Sequence, residues 1–255
     1  MHFRGEENSY TIELHIARHP EVPQMDKQVL MKMRQDWDER ARENAGYYIR
    51  LTDQKTSDDR EFYRSGEVNV ANEIMPDMPS ICAADRSRSP LDLAVLEIGC
   101  GVGRMTRMLA RIFGHVTAVD VSKEMLVRAQ ANLASLDNLT LVLGDGATLS
   151  SLADESHDFA FSFIVFQHIP SADVVASYCR EVYRVLRPGS LFKLQLNGAI
   201  WERNESPDTW MGVSFSEGDA RRLCDESGFE WEASHGAGTQ YFWLWFRKPK
   251  ARDTN

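Results

Sequence analysis

LEIGCGVGRMT, residues 96–106, joins an apolar run to a helical pattern through three glycines. Residues 93–98 are apolar except for one acid, which is typical of a strand buried on both faces. Apolar residues then recur at helical spacing over 102–113. Glycines at such a turn let a ligand approach the backbone, and the helix beyond offers unpaired N–H groups. The segment therefore predicts a strand, a ligand-binding turn and a helix.

The spacing of these glycines argues against a dinucleotide. Gly99, Gly101 and Gly103 follow the pattern G-x-G-x-G, and Arg104 stands where the dinucleotide fingerprint G-x-G-x-x-G requires its third glycine. A glycine-rich turn is a weak signal by itself. Pyrophosphate binding is the less favoured interpretation of this turn.

Strands and helices alternate through most of the chain after residue 91. This order predicts a parallel sheet covered by helices on both faces. The predicted strands are 115–119, 139–143, 159–165 and 191–196, and the predicted helices are 122–134 and 173–186, with a turn at 187–189.

The last part of the chain breaks this rhythm. Residues 216–227 have a helical pattern, and strands are predicted at 229–233 and 240–247. The short link at 235–239 is too short for a crossover, so these strands should pair antiparallel. The fold class is therefore α/β, a doubly wound and mostly parallel sheet with an antiparallel last strand.

Residues 1–90 have a different texture and are predicted to form a helical N-terminal extension to a main domain at 91–255. Apolar residues at helical spacing predict a helix over 25–45 that ends at Gly46. Residues 52–60 lack apolar side chains and predict an exposed loop. A short helix is predicted over 61–74, and three prolines predict an irregular connector over 76–90.

Composition excludes several classes of function. The chain has 255 residues, of which 43% are hydrophobic, and a formal net charge of -9 without a long basic run. That charge disfavours nucleic acid and anionic membrane surfaces as partners. Four cysteines without a CxxC pair predict neither disulfides nor a zinc ribbon. Because no apolar leader or long apolar run is visible, a cytoplasmic location is expected.

Two aspartates follow predicted strands at the edge where open α/β sheets bind ligands. Asp120 follows the second strand, where a carboxylate can accept hydrogen bonds from both ribose hydroxyls. Asp145 follows the third strand, where a carboxylate can accept from the exocyclic amine of adenine. Each also has a structural interpretation, Asp120 as a helix-start residue and Asp145 as a turn residue. Together with the glycines, however, they favour a nucleoside site.

These motifs resemble those of the class I S-adenosylmethionine-dependent methyltransferases over about residues 92–247. The resemblance implies a seven-stranded sheet with an antiparallel last strand and S-adenosylmethionine as cofactor. The matching stretches are VLEIGCGVGRMTRMLA at 95–110, TAVDVSKEMLVRAQ at 117–130, LVLGDGATL at 141–149, the strand at 158–165 with FQHIP, and LRPGSLFKLQL at 186–196.

The resemblance also implies roles for particular residues. The glycines with Cys100 would shape the pocket for the methionine part of the cofactor, Glu97 would lie near its ammonium group, and Phe163 would border it. Ribose would be held by Asp120. The adenine ring would be contacted by Val121, Met125, Asp145, Gly146 and Ala147. No reactivity is expected of Cys100, since a free cysteine usually packs as a small hydrophobic residue.

Catalytic residues and the acceptor site are less defined by the sequence. His168 follows the fourth strand and is a candidate general base, although a packed structural role is preferred. The aromatic residues Trp37, Tyr47 and Tyr48 suggest a lid or simple helix packing. Trp201 and Trp210, in a long loop after the fifth strand, are candidate borders of the acceptor.

The preferred function is methyl transfer to a small-molecule acceptor without a metal. His15 and His19 have helical ligand spacing, but Pro20 follows and no third ligand is evident. A non-catalytic cofactor-binding protein is one alternative. An NAD-dependent oxidoreductase is the other, and Arg104 in place of the third glycine argues against it.

Overall fold

The computed structural model describes residues 26–50, 59–199 and 207–250. Within this part of the chain seven strands form one sheet. The strands are β1 (Ala94–Ile98), β2 (His115–Asp120), β3 (Leu139–Leu143), β4 (His157–Ser162), β5 (Leu186–Leu196), β6 (Glu230–His235) and β7 (Phe242–Arg247). Their spatial order is β3-β2-β1-β4-β5-β7-β6.

The predicted α/β class and the antiparallel end of the sheet are confirmed. Strands β3, β2, β1, β4 and β5 pair parallel to one another. Strand β7 pairs antiparallel with both β5 and β6. The carboxyl ends of β1, β2 and β4 therefore meet at one edge of the sheet, where the candidate binding residues follow them.

Helices cover both faces of this sheet. They are α1 (Lys27–Arg50), α2 (Asp59–Glu73), α3 (Met78–Ile81), α4 (Thr106–Ile112), α5 (Lys123–Asn132), α6 (Ala172–Val185) and α7 (Glu217–Glu226). One core contains residues of α6 and α7 packed on Phe192 and Phe246. The opposite core contains residues of α2 and α4 packed on Phe159 and Phe161. The central strands β1, β2, β4 and β5 are thus buried on both faces, as their apolar sequences predict.

The prediction that the first helix ends at Gly46 is wrong. Helical geometry is interrupted at Asn44, which has φ -166° and ψ 83°, and then resumes to Arg50. The Asn44 Oδ1 atom accepts a hydrogen bond from Tyr47 N at 3.1 Å. Asparagine in extended geometry is a good N-cap, so it starts a second helical segment that contains Gly46.

Four other predicted boundaries differ from the structure. The predicted connector at 76–90 is partly helical, with α3 and short 3-10 turns at Met75–Asp77 and Pro90–Asp92. The predicted turn at 187–189 lies inside β5, because Gly189 N donates to Lys248 O and this segment stays in the sheet. The fourth strand ends at Ser162 rather than at Val165. The last two residues of the predicted loop at 52–60 belong to α2, and residues 52–58 lie outside the described residues.

Gly66 allows α2 to pack against the glycine-rich turn. A Cβ atom added to Gly66 would lie 2.2 Å from the carbonyl oxygen of Arg104, which is too close for any real contact. We expect Gly66→Ala to lower the free energy of unfolding by about 1–3 kcal/mol, since the clash is with backbone. The gain in helix propensity, about 1 kcal/mol, offsets only part of this cost.

Urea unfolding of the two proteins measures this difference. Gly218→Ala is the matched control, because its nearest atom would be Ser216 Oγ at 3.7 Å. Equal loss of stability in both variants would show that α2 does not need the close approach at Gly66.

Candidate functional site

A cavity of about 100 Å³ lies where β1, β2 and β4 end. Eight of the predicted binding residues line it: Glu97, Gly99, Cys100, Gly101, Asp120, Val121, Met125 and Phe163. The structure therefore brings the glycine-rich turn and Asp120 to one space. Their role in binding stays a prediction.

The glycine-rich turn has a backbone that other residues rarely adopt. Gly99 and Gly101 have φ angles of 78° and 55°. A Cβ atom at Gly99 would lie 2.1 Å from Val165 Cγ2, and one at Gly101 would lie 2.8 Å from Ile49 Cδ1. Glycine is thus required here by both geometry and space. Gly103 differs, since it packs towards Leu133 near the end of α5 and does not line the cavity.

Asp120 is oriented by two backbone groups. Its Oδ2 atom accepts from Gly101 N at 2.8 Å, and its Oδ1 atom accepts from Ser122 N at 2.8 Å. The alternative role as a helix cap belongs instead to Ser122, whose hydroxyl accepts from Met125 N. Burial raises the pKa of Asp120 to about 6, against the lowering effect of these hydrogen bonds.

Glu97 supplies a second acid to the same cavity. Its side chain is only 5% exposed. Its Oε2 atom accepts from Thr106 Oγ1 at 2.6 Å. Burial raises the pKa of Glu97 to about 7, and the negative charge of Asp120 adds to that rise. Two carboxylates that resist ionisation in one enclosed space make the cavity favourable for a cationic ligand.

Asp145, Gly146 and Ala147 do not line this cavity. The Asp145 Oδ1 atom accepts from Ala147 N at 2.8 Å and from Thr148 N at 2.6 Å. The carboxylate thus stabilises its own turn, which is the alternative interpretation of this residue. The sequence could not separate the two, because an aspartate after a strand serves both purposes.

Helix α1 forms the roof of the cavity. Met33, Trp37, Tyr48 and Ile49 line it from above. The Asp38 Oδ1 atom accepts from Ser122 Oγ at 2.6 Å and from Glu124 N at 3.1 Å, which fastens α1 to the start of α5. Trp37 and Tyr48 were candidates for a lid from the sequence. Tyr47 lies against Tyr48, at 5.2 Å between ring centroids, and not in the cavity.

Arg40 joins this roof to the segment after β5. Its guanidinium carbon lies 4.7 Å from the Trp37 ring centroid and 5.2 Å from that of Trp210. The Arg40 Nη1 atom also donates to Thr209 O at 3.0 Å. Trp210, a candidate border of the acceptor, thus belongs to the roof contact, whereas Trp201 lies outside the described residues.

His168 also lines the cavity but is held as a structural group. It is 4% exposed, and its Nδ1 atom lies 2.6 Å from the carbonyl oxygen of Trp210, so that nitrogen carries a proton. Its Nε2 atom lies 3.2 Å from Gln167 Nε2. Burial lowers the pKa of His168 to about 4, which makes the ring a weak base. The geometry favours the packed structural interpretation.

Ile164 occupies a strained position at the edge of the cavity. Its φ angle of 56° is unusual for a β-branched residue. The conformation is held by Gln195, fully buried in β5, whose Oε1 atom accepts from Ile164 N at 3.0 Å. Strained residues concentrate at functional sites, so this position supports the location of the site. The sequence carried no signal for it.

The remaining candidates from the sequence are Cys100 and the pair His15 and His19. Cys100 is 4% exposed, and burial raises the pKa of its thiol, so it packs without reactivity. Among the described residues no three potential metal ligands lie together. His15 and His19 lie outside those residues. No helix of the described chain combines the length and apolar character needed to cross a membrane.

Comparisons with known proteins find similarity to methyltransferases. Residues 96–194 match a family described as a methyltransferase domain. A malonyl-[acyl-carrier protein] O-methyltransferase of Methylococcus capsulatus is 35% identical over 43% of this chain and 39% of its own length. A 2-methyl-6-phytyl-1,4-hydroquinone methyltransferase of Synechocystis is 31% identical over 54% of this chain and 41% of its own length. This chain thus spans about two fifths of the length of either relative.

Solved structures share the fold. A phosphoethanolamine N-methyltransferase 1 of Haemonchus contortus, in complex with phosphoethanolamine and S-adenosylhomocysteine, has a TM-score of 0.63. It is 14% identical, and the match covers 91% of this chain and 51% of that one. A SAM-dependent methyltransferase of Methanosarcina mazei has a TM-score of 0.54 at 21% identity, over 65% of this chain and 97% of that one.

Proposed function

We propose that this chain, whose residues 96–194 match a methyltransferase domain, is a class I S-adenosylmethionine-dependent methyltransferase and that it transfers a methyl group from S-adenosylmethionine to a small-molecule acceptor. The observation that carries the proposal is the shared cavity of Glu97, Asp120 and the glycine-rich turn. A cytoplasmic location for this reaction remains a prediction from the composition.

The residues of the cavity fit this methyl donor. Its sulfonium and ammonium groups are cationic, and Glu97 and Asp120 are the buried acids that a cation would help to ionise. Asp120 is held by Gly101 N and Ser122 N with its carboxylate ready to accept from ribose hydroxyls. The positive φ angles of Gly99 and Gly101 give the ligand access to the backbone.

S-adenosylmethionine held by Glu97, Asp120 and the glycine-rich turn would supply an already activated methyl group. A lone pair of the acceptor would form the new bond to that methyl carbon, and the carbon–sulfur electrons would go to sulfur, with S-adenosylhomocysteine as the leaving group. A proton of the acceptor, where there is one, passes to solvent. The contribution of the chain is to position the two reactants, an effect worth up to about 7–11 kcal/mol in favourable cases.

The acceptor is proposed to be a small molecule because the Synechocystis relative is named for a hydroquinone acceptor and the net charge of -9 disfavours nucleic acid. The alternative of an NAD-dependent oxidoreductase is disfavoured, because a dinucleotide-binding turn requires glycine at position 104. Arg104 stands there instead, and its side chain donates to Asn69 of α2. A non-catalytic cofactor-binding protein keeps the same cavity and differs only in turnover.

We expect the purified protein to bind S-adenosylmethionine and to transfer its radiolabelled methyl group to at least one metabolite of a mixed library. Calorimetry measures binding, and NADH serves as the control ligand. Binding without transfer to any library member would favour the non-catalytic alternative. Binding of NADH in place of S-adenosylmethionine would refute the proposal.

A further inference from the structure

A second and larger cavity, of about 1090 Å³, opens beside the first. Its walls come from α2, from β7 and from the link between β6 and β7. The two cavities share Ile49, Arg104, Phe163 and Ile164 as lining residues. The two cavities therefore adjoin at the strained Ile164.

Aromatic side chains form the sheet side of this second cavity. Phe163 and Trp243 have ring centroids 5.1 Å apart and planes that differ by only 19°. Trp243 is 6% exposed and supports the surface from below, whereas Phe163 and Trp245 keep partly exposed surface. Tyr241, 44% exposed, stands at the rim. Trp243 thus backs Phe163, and the exposed surfaces of Phe163 and Trp245 favour a flat ligand that lies alongside them.

The charges at the base of the cavity are already paired. Lys193 is 3% exposed, and its Nζ atom donates to Asp77 Oδ2 at 2.8 Å. The same atom lies 4.6 Å from the ring centroids of both Trp243 and Trp245. The ammonium group of Lys193 thus occupies one face of each indole, which weakens the attraction of these rings for a cationic ligand. Asp77 in turn neutralises the charge that would attract an anion.

The opposite wall is amphipathic. Val68 of α2 is 50% exposed, and Asn69 and Asn72 line the same side. Asn69 Oδ1 accepts from Arg104 Nη1 at 2.6 Å, so this wall is continuous with the shared residues of the two cavities. Glu61 and Arg64, which carry opposite charges, also line this wall, and Glu73 lies 3.6 Å from Lys193 Nζ. Because these charges are of both signs, the aliphatic and amide groups between them suit an uncharged molecule with an apolar body and a hydroxyl or carbonyl group.

We infer that the second cavity binds the methyl acceptor and that this acceptor is an uncharged compound with a flat aromatic or conjugated ring. The inference rests on the proposed methyl transfer. The ring would lie along Phe163 and Trp245, with its nucleophilic atom directed past Ile164 to the cofactor cavity.

Four probes of one skeleton test the chemical class. Naphthol is flat and uncharged, decahydronaphthol is not flat, naphthoate is an anion, and naphthylmethylammonium is a cation. Binding to the full chain with S-adenosylhomocysteine present is measured by saturation-transfer NMR. We expect naphthol to bind about tenfold more tightly than decahydronaphthol, as an added aromatic contact allows. It should also bind about tenfold more tightly than the two charged probes, whose charges would lose hydration without gaining a partner. Equal or tighter binding of another probe would overturn the class.

Two matched variants test the location. Val68 lines the cavity and Val127 of α5 does not, and each is 50% exposed. We expect Val68→Glu to weaken naphthol binding at least about fivefold through desolvation of the new charge, and Val127→Glu to leave it unchanged. Trp245→Leu should also weaken it, whereas Trp231→Leu on the other face of the sheet should not. Equal effects within both pairs would overturn the location.

The affinity of each protein for S-adenosylhomocysteine, measured without a probe, distinguishes failure of the proposed function from failure of the acceptor site alone. If the unaltered chain does not bind S-adenosylhomocysteine, both the proposed function and the acceptor site are refuted. Retained affinity with no binding of naphthol would refute the acceptor site alone.

Discussion

Asp120→Ala is expected to weaken binding of S-adenosylmethionine at least about 100-fold, because hydrogen bonds to a charged acceptor contribute about 1.5–3 kcal/mol each. The carboxylate lies in the cofactor cavity and is oriented by Gly101 N and Ser122 N. Alanine removes both the acceptor for ribose and the group that holds the turn in place. Isothermal titration calorimetry measures the change.

A conservative variant and a matched control accompany Asp120→Ala. Asp120→Asn keeps an oxygen for one backbone bond and should lose less affinity than alanine. Asp137, an exposed aspartate before β3, is the matched control, and Asp137→Ala should bind as the unaltered chain does. Unchanged affinity in Asp120→Ala would remove the ribose assignment.

Glu97→Gln is expected to act in opposite directions on stability and on binding. Burial raises the pKa of Glu97 to about 7, so the ionised form costs stability in the ligand-free protein above that pH. The amide is neutral and still accepts from Thr106, so the variant should be more stable at pH 8, by on the order of 2 kcal/mol. It should bind S-adenosylmethionine at least about tenfold more weakly, because the charge opposite the ammonium group is lost.

The raised pKa of Glu97 makes the free energy of unfolding depend on pH. A carboxyl group with a raised folded-state pKa stabilises the fold most below its unfolded pKa, and that contribution is lost as pH rises through about 7. The unfolding free energy of the ligand-free chain should therefore fall between pH 5 and pH 8, and less so in Glu97→Gln. Affinity for the cofactor should rise over the same interval. Urea unfolding and calorimetry at several pH values measure both.

Glu67→Gln provides the control for a carboxyl group outside the cavity. Glu67 is about half exposed and pairs with Arg111, an interaction that contributes at most about 1 kcal/mol. Its variant should change neither the pH profile nor the affinity. If Glu97→Gln follows Glu67→Gln in both measurements, Glu97 does not face the ligand.

The sequence was sufficient for the fold because its signals are local and repeated. Apolar runs, helical spacing and a link too short for a crossover predict the sheet and its antiparallel end, both of which are confirmed. The predicted ends of helices and strands were wrong where a single side-chain hydrogen bond or a neighbouring strand determines where the element ends. Asn44 restarts a helix through its own cap, and the pairing of Gly189 with Lys248 keeps a Pro-Gly pair inside a strand.

The sequence predicted the candidate site only in part. Motif positions bring Asp120 and the glycines to one cavity, but the orientation of Asp145 depends on hydrogen bonds within its own turn. Ile49 and Arg104 are distant in sequence, and no motif indicates that they face both cavities. Contacts between separate elements, such as Arg40 with Trp210, leave no periodic trace in the sequence.

The volume under α1 bears on how the methyl donor enters. A cavity of about 100 Å³ is smaller than the roughly 300–1,000 Å³ of ordinary ligand pockets, and Ile49, Trp37 and Met33 line it. A lid movement of α1, which stays a prediction from the sequence, would enlarge this space. In that case the measured dissociation constant would equal the intrinsic one divided by the fraction of molecules with the lid open. The contacts of Asp38 with Ser122 and of Arg40 with Thr209, which hold α1 in place, would then set that fraction.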